Sequence, residues 1–169
     1  MIRITIITVV LSIAAAILQS TLLSHIALYH AVPDLAMGIV VFSAYVNGSM
    51  TGQISGFFSG LLLDFLSAAP LGLNSLVRTL AGALAGIKKG AFFLDLFFLP
   101  MILCGLATLL KAAIFFILHF FLSKTVPAYP LAAPVFWVEL GMNCLSAPLL
   151  FGLLRRIKPL AAGLGRRSQ

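Results

Sequence analysis

The chain has 169 residues, of which 62% are hydrophobic and only 9% are charged. Soluble domains carry about a quarter charged residues, so this composition excludes a soluble globular protein and indicates an integral membrane protein. The net charge of +7 does not indicate a nucleic-acid partner, because the basic residues cluster at the ends of apolar segments, as the positive-inside rule describes.

Apolar segments of about the length that crosses 30 Å of hydrocarbon follow one another along the chain. We predict an all-α integral membrane protein, a six-helix transmembrane bundle that forms a single domain over residues 1–169. The predicted spans cover about residues 4–23, 34–47, 51–68, 71–87, 100–122 and 135–154. A first transmembrane helix is favoured over a signal peptide, because the apolar run continues past the alanines at 14–16 and further spans follow.

Two regions between apolar segments bear on where the second and fifth spans begin. Pro33 and Asp34 open the second span, where proline is tolerated and a carboxylate suits the positive end of a helix. The segment 91–99 carries Asp95 and is too short to span. It is either an interfacial segment or part of the fifth span.

The basic residues predict the orientation. Six spans place both termini on the same side of the membrane. Eight basic residues fall on that side and only Lys124 on the other; the eight are Arg3, Lys88, Lys89, Arg155, Arg156, Lys158, Arg166 and Arg167. The positive-inside rule therefore predicts that both termini are cytoplasmic.

Small residues form a stripe on the third span. Glycines recur at every fourth position from just before this span, at Gly48, Gly52, Gly56 and Gly60, and Asp64 is the next term of the series. Residues four apart share a helix face, and such a stripe lets another helix approach closely in lipid. Arg78, on the next span, lies within reach, so we predict an ion pair between Asp64 and Arg78 that fixes how spans three and four pack.

A second pair of charges is predicted between Lys111 and Glu139, which lie in the outer half of adjacent antiparallel spans. Such groups serve helix packing more often than chemistry, although intramembrane charges also mark partner or ligand surfaces. No nucleophile elbow, phosphate loop or metal-ligand spacing occurs in the sequence. We therefore predict no enzyme activity, no cofactor and no metal.

Three motifs follow one another along the chain: Pro33-Asp34-Leu35, "GFFSGLLLD" at 56–64 and "PLGLNSL" at 70–76. On these features residues 32–82 resemble the MreD family of bacterial rod-shape-determining membrane proteins. Gly56, Gly60, Asp64, Pro70, Leu71 and Gly72 match that family's pattern. Length and number of spans agree along the whole chain.

The resemblance implies a multi-pass protein of the bacterial inner membrane that acts as a scaffold in the cell-elongation and peptidoglycan-synthesis machinery. It implies a bitopic MreC-like partner, with MreB, RodA and a class B penicillin-binding protein in the same assembly. It also implies a fold similar to the substrate-binding component of energy-coupling-factor transporters. The basic C-terminal end suits contact with anionic membrane lipid.

Two other functions stay open at this stage. The first is a small-molecule, vitamin-like binding component of a transporter, which needs a pocket open to the outside. The second is a membrane enzyme that uses Asp64 and Glu139 for acid–base chemistry. The sequence leaves open homo-oligomerisation, the stoichiometry with partners, the helix that faces the partner, and whether a lipid or small molecule occupies an internal pocket.

Overall fold

The computed structural model describes residues 2–21, 31–67, 70–87, 97–122, 126, 129 and 131–160. Within these ranges the chain forms six helices: α1 Ile2–Thr21, α2 Leu35–Asn47, α3 Ser49–Leu66, α4 Leu73–Ile87, α5 Phe98–Phe121 and α6 Pro134–Arg155. The predicted all-α class is confirmed. Helices α1, α5 and α6 are long and apolar enough to cross a membrane, while α2 and α4 are shorter apolar helices.

Some sequence predictions fall outside the described residues. Of the segment at 91–99, residues 91–96 are not described, and α5 begins at Phe98. Several of the basic residues that predict the orientation also lie outside the described ranges: Lys88, Lys89, Lys124, Arg166 and Arg167.

Helix α2 is the centre of the fold. Every residue from Ala36 to Val46 is buried, and α2 contacts each of the other five helices. A helix that is apolar on all sides is stable only when it is surrounded, and the sequence of α2 has this character. The buried Ser43 hydroxyl of α2 shares a 2.7 Å hydrogen bond with Thr8 of α1. Around α2, successive contacts join α1 to α3, α3 to α4, α4 to α5, and α5 to α6.

Gly48 is the single residue between α2 and α3. Its φ of 105° and ψ of 167° belong to a region that is essentially restricted to glycine. Its N–H closes α2 on the carbonyl of Ala44, and its own carbonyl accepts from Gly52, at the start of α3. The chain therefore reverses at one residue and brings α3 directly alongside α2 and α4.

The glycine stripe of α3 packs against the backbone of α4. A Cβ added at any of three stripe positions would collide with α4: Gly52 with Gly82, Gly56 with the carbonyl of Arg78, and Gly60 with Ser75. The approach is reciprocal, since a Cβ at Gly82 or Gly86 would collide with the backbone of α3 or of the preceding turn. Helix α4 therefore covers the glycine stripe, and α3 and α4 are the most closely packed pair among the described helices.

We expect Gly60→Ala to destabilise the protein, because the new methyl group would push α3 away from α4. Overpacking of this kind costs about 1–3 kcal/mol in well-packed cores. The measurement is thermal unfolding of the purified protein in detergent. Gly141→Ala in α6 is the matched control, since a Cβ there meets nothing within 4 Å. Equal stability of the two variants would contradict the tight packing of α3 on α4.

Candidate functional site

A buried ion pair joins α4 to the beginning of α2. The Nη2 atom of Arg78 donates to Oδ1 of Asp34 across 2.8 Å, and the two side chains are 2% and 11% exposed. Asp34 is also the N-cap of α2, because the same oxygen accepts from the N–H of Met37 at 2.9 Å. The positive end of the helix dipole and the guanidinium therefore both stabilise this carboxylate.

The predicted ion pair between Asp64 and Arg78 is wrong, because Arg78 is paired with Asp34. Asp64 instead caps α4. Its Oδ2 accepts from the N–H groups of Gly72 and Ser75 at 3.0 and 3.2 Å, and its Oδ1 accepts from N and Nδ2 of Asn74 at 2.9 Å each. The N–H groups at the start of a helix have no partner within that helix. The short turn after α3 brings those of α4 onto the carboxylate, so Asp64 is stabilised without a cationic partner.

This cap explains the motif at 70–76 in physical terms. Gly72 adopts a φ of 92°, a left-handed conformation that favours glycine, and its N–H reaches Asp64. Asn74 supplies a second donor from its side chain, and the Ser75 hydroxyl donates back to the carbonyl of Phe57 at 3.1 Å. The motif is thus the N-terminal cap of α4, built around a carboxylate from the preceding helix.

Two neutral side chains extend the network around the N-terminus of α2. Asn143 of α6 accepts from the N–H of Asp34 at 2.7 Å and donates to the Thr108 hydroxyl of α5 at 2.9 Å. Gln19 of α1 accepts from the N–H of Ala36 at 2.9 Å. Polar side chains of α1, α4, α5 and α6 therefore meet at this one helix end.

The sequence analysis above does not single out these two amides. The feature of the sequence that could have predicted their role is that Gln19 and Asn143 are amides inside apolar segments. Amides at such positions require partners that lipid cannot supply.

The pair predicted between Lys111 and Glu139 is formed. Nζ of Lys111 donates to Oε1 of Glu139 at 2.6 Å, and both side chains are largely buried. Tyr129, from the region between α5 and α6, donates its hydroxyl to Oε2 of the same carboxylate at 2.7 Å and places its ring 5.7 Å from the ammonium. Burial raises the pKa of the Tyr129 hydroxyl, which keeps it protonated as a donor. The sequence analysis did not single out Tyr129.

The charges of this region balance one another. Asp34 is paired with Arg78, and Glu139 is paired with Lys111. Beside Asp34 lies a cavity of about 10 Å³ whose polar lining comes from Asp34, Thr108, Asn143 and Ser146. That volume accommodates about one water molecule. The arrangement is suited to holding helices together rather than to enclosing a substrate.

These features define a small, helical membrane protein in whose described part the buried charges pair with one another or bind helix ends. The family model described as rod shape-determining protein MreD matches residues 1–157. The chain therefore belongs to the MreD family of rod shape-determining membrane proteins, and the resemblance seen in the sequence is confirmed. The matched range contains every residue of the network. No curated protein and no solved structure matches the chain.

We expect Asp34 and Arg78 to be energetically coupled. Asp34→Asn retains a capping side chain but removes the charge, and Arg78→Gln removes the other partner. Each single variant leaves one buried charge unpaired, a loss of about 3–5 kcal/mol for buried pairs in soluble proteins. The double variant should therefore lose less than the sum of the single variants.

The matched cycle combines Asp64→Asn with Arg78→Gln. These losses should add to within about 0.5 kcal/mol, since Asp64 and Arg78 share no hydrogen bond. Unfolding in detergent, followed for all five variants, measures both couplings. A larger coupling for Asp64 than for Asp34 would show that the pairing described above is incorrect.

Proposed function

We propose that the chain is a non-enzymatic scaffold of the bacterial cell-elongation and peptidoglycan-synthesis machinery, and that it docks an MreC-like single-span protein. The observation that carries this proposal is the family match across residues 1–157. In the proposed setting the protein lies in the inner membrane, and MreB, RodA and a class B penicillin-binding protein belong to the same assembly.

The proposed topology has six spans with both termini in the cytoplasm. Its support is that Arg3, near the start of α1, and Arg155 and Arg156, at the end of α6, fall on one side when the helices alternate in direction. The ion pairs then lie toward the opposite, outer side. Helix α2, with 13 residues, is about 20 Å long and shorter than the hydrocarbon thickness of about 30 Å. This length is tolerated because α2 is enclosed by protein.

A scaffold accounts for the interior better than the other two functions. Ligand pockets usually measure about 300–1,000 Å³, whereas the polar cavity beside Asp34 has room for about one water. Asp64 and Glu139, the two carboxylates considered for acid–base chemistry, belong to separate groups. Asp64 is bound by four donors of the α4 cap, and Glu139 by Lys111 and Tyr129.

The surface that faces lipid offers two grooves for a partner helix. One, of about 580 Å³, lies between α1 and α3 and includes Ile6 and Phe58. The other, of about 460 Å³, lies between α4 and α5 and is lined by leucines together with Ala81, Ala85, Ala107 and Ala113. Grooves with small residues permit close helix–helix approach in a membrane. Since the glycine stripe is occupied by α4, a partner would have to use a surface such as these.

Site-specific photocrosslinking tests the docking. A benzophenone amino acid is placed at Phe58 for the first groove or at Leu106 for the second, both of which are exposed. In cells that contain the elongation proteins, one of these positions should crosslink to the single-span partner. Leu145 of α6, which is 72% exposed and lines neither groove, is the control. Crosslinking from neither groove, or equally from Leu145, would contradict docking of a partner helix in these grooves.

Cysteine labelling tests the topology separately. After replacement of Cys104 and Cys144, single cysteines are placed at Ala132, before α6, and at Lys158, after it; both residues are exposed. A membrane-impermeant thiol reagent added outside the inner membrane should label the cysteine at 132 and not the one at 158. The reverse pattern would invert the proposed orientation, and labelling of both would show that α6 does not span.

A further inference from the structure

The cytoplasmic end proposed for α6 carries a groove that the network does not involve. It has a volume of about 540 Å³ and lies between α6 and the start of α5. Its lining residues are Phe97, Pro148, Leu149, Gly152, Leu153, Arg155 and Arg156. The groove is therefore apolar along its length and basic at one end.

The lining of the groove follows from the spacing along α6. Pro148, Gly152 and Arg156 recur at every fourth position and so share one face near the end of the helix. Gly152 leaves open space, since a Cβ added there would meet no atom within 4 Å. Leu149 and Leu153 flank the glycine and are 79% and 62% exposed. An extended hydrocarbon chain could lie over Gly152 in contact with both leucines.

The sequence at the end of α6 is strongly basic. After Glu139 the chain contains no further Asp or Glu, whereas five basic residues occur between 155 and 167. Arg156 is exposed and lines the groove. An arginine fork binds phosphate oxygens in a bidentate manner. A ligand with a negative phosphate joined to a hydrocarbon chain complements both parts of the site.

We infer that this groove is a specific binding site for an anionic phospholipid of the inner leaflet. One acyl chain lies over Gly152 between Leu149 and Leu153, and the phosphate faces Arg156 and Arg155. The inference rests on the orientation proposed above, but it does not depend on any protein partner. Bound lipid would fix the depth of α6 and the beginning of α5 at the membrane surface.

Native mass spectrometry of the purified protein, titrated with phosphatidylglycerol or with phosphatidylcholine, tests the site. The protein should bind one phosphatidylglycerol in preference to phosphatidylcholine of the same chain length. Arg156→Gln should weaken this binding about fivefold, the effect expected of one basic residue near anionic lipid. Lys158→Gln removes an exposed charge two residues away that does not line the groove, and it should leave the binding unchanged.

A second pair of variants tests the apolar part. Gly152→Leu should block the groove and abolish the preferential binding, while Gly141→Leu, at an equally open position of the same helix, should preserve it. Thermal unfolding confirms that both variants are folded. Equal losses for Arg156→Gln and Lys158→Gln would show diffuse attraction instead of a site. Unaltered binding by Gly152→Leu would likewise overturn the inference. Labelling of the cysteine at 158 from outside would refute the orientation without changing these titrations.

Discussion

The salt bridge between Arg78 and Asp34 determines how the outer helices are arranged around α2. A lone charge in the membrane interior costs about 2.5–3.5 kcal/mol on insertion scales, so each partner requires the other. Because Asp34 is also the N-cap of α2, the pair fixes α4 to the one helix that contacts all the others. Asn143 and Gln19 accept the neighbouring N–H groups. Satisfying the end of α2 thus selects the positions of three surrounding helices, α1, α4 and α6.

The remaining polar groups serve the same purpose at other contacts. Asp64 sets the direction in which α4 leaves the turn after α3, and the glycines let the two helices touch along their backbones. Lys111 and Glu139 join α5 to α6. Since lipid gives little hydrophobic drive for helix association, these few polar contacts and the close glycine packing carry much of the specificity. They leave the outer surface apolar, as a membrane protein requires.

The sequence predicted those features that depend on local spacing. Apolar runs located the helices, the four-residue repeat identified the glycine face, and equal depth on adjacent helices paired Lys111 with Glu139. The pairing of Asp64 with Arg78 failed for a physical reason. Spacing arguments compare side chains on consecutive helices, whereas Asp64 is satisfied mainly by backbone donors and Arg78 reaches a helix two elements earlier. The contacts of α2 with α4 and α6 depend on the packing of the whole chain.

The buried charges hold the helices together, and the proposed MreC-like partner would contact other surfaces of the protein. The most direct measurement is the amount of MreC-like protein that copurifies per folded molecule of the Asp34→Asn, Arg78→Gln double variant, with folded protein quantified by size-exclusion chromatography in detergent. The account predicts less folded protein but an unchanged ratio of partner to folded chain. A variant that folds to the wild-type amount and yet loses its partner would contradict it.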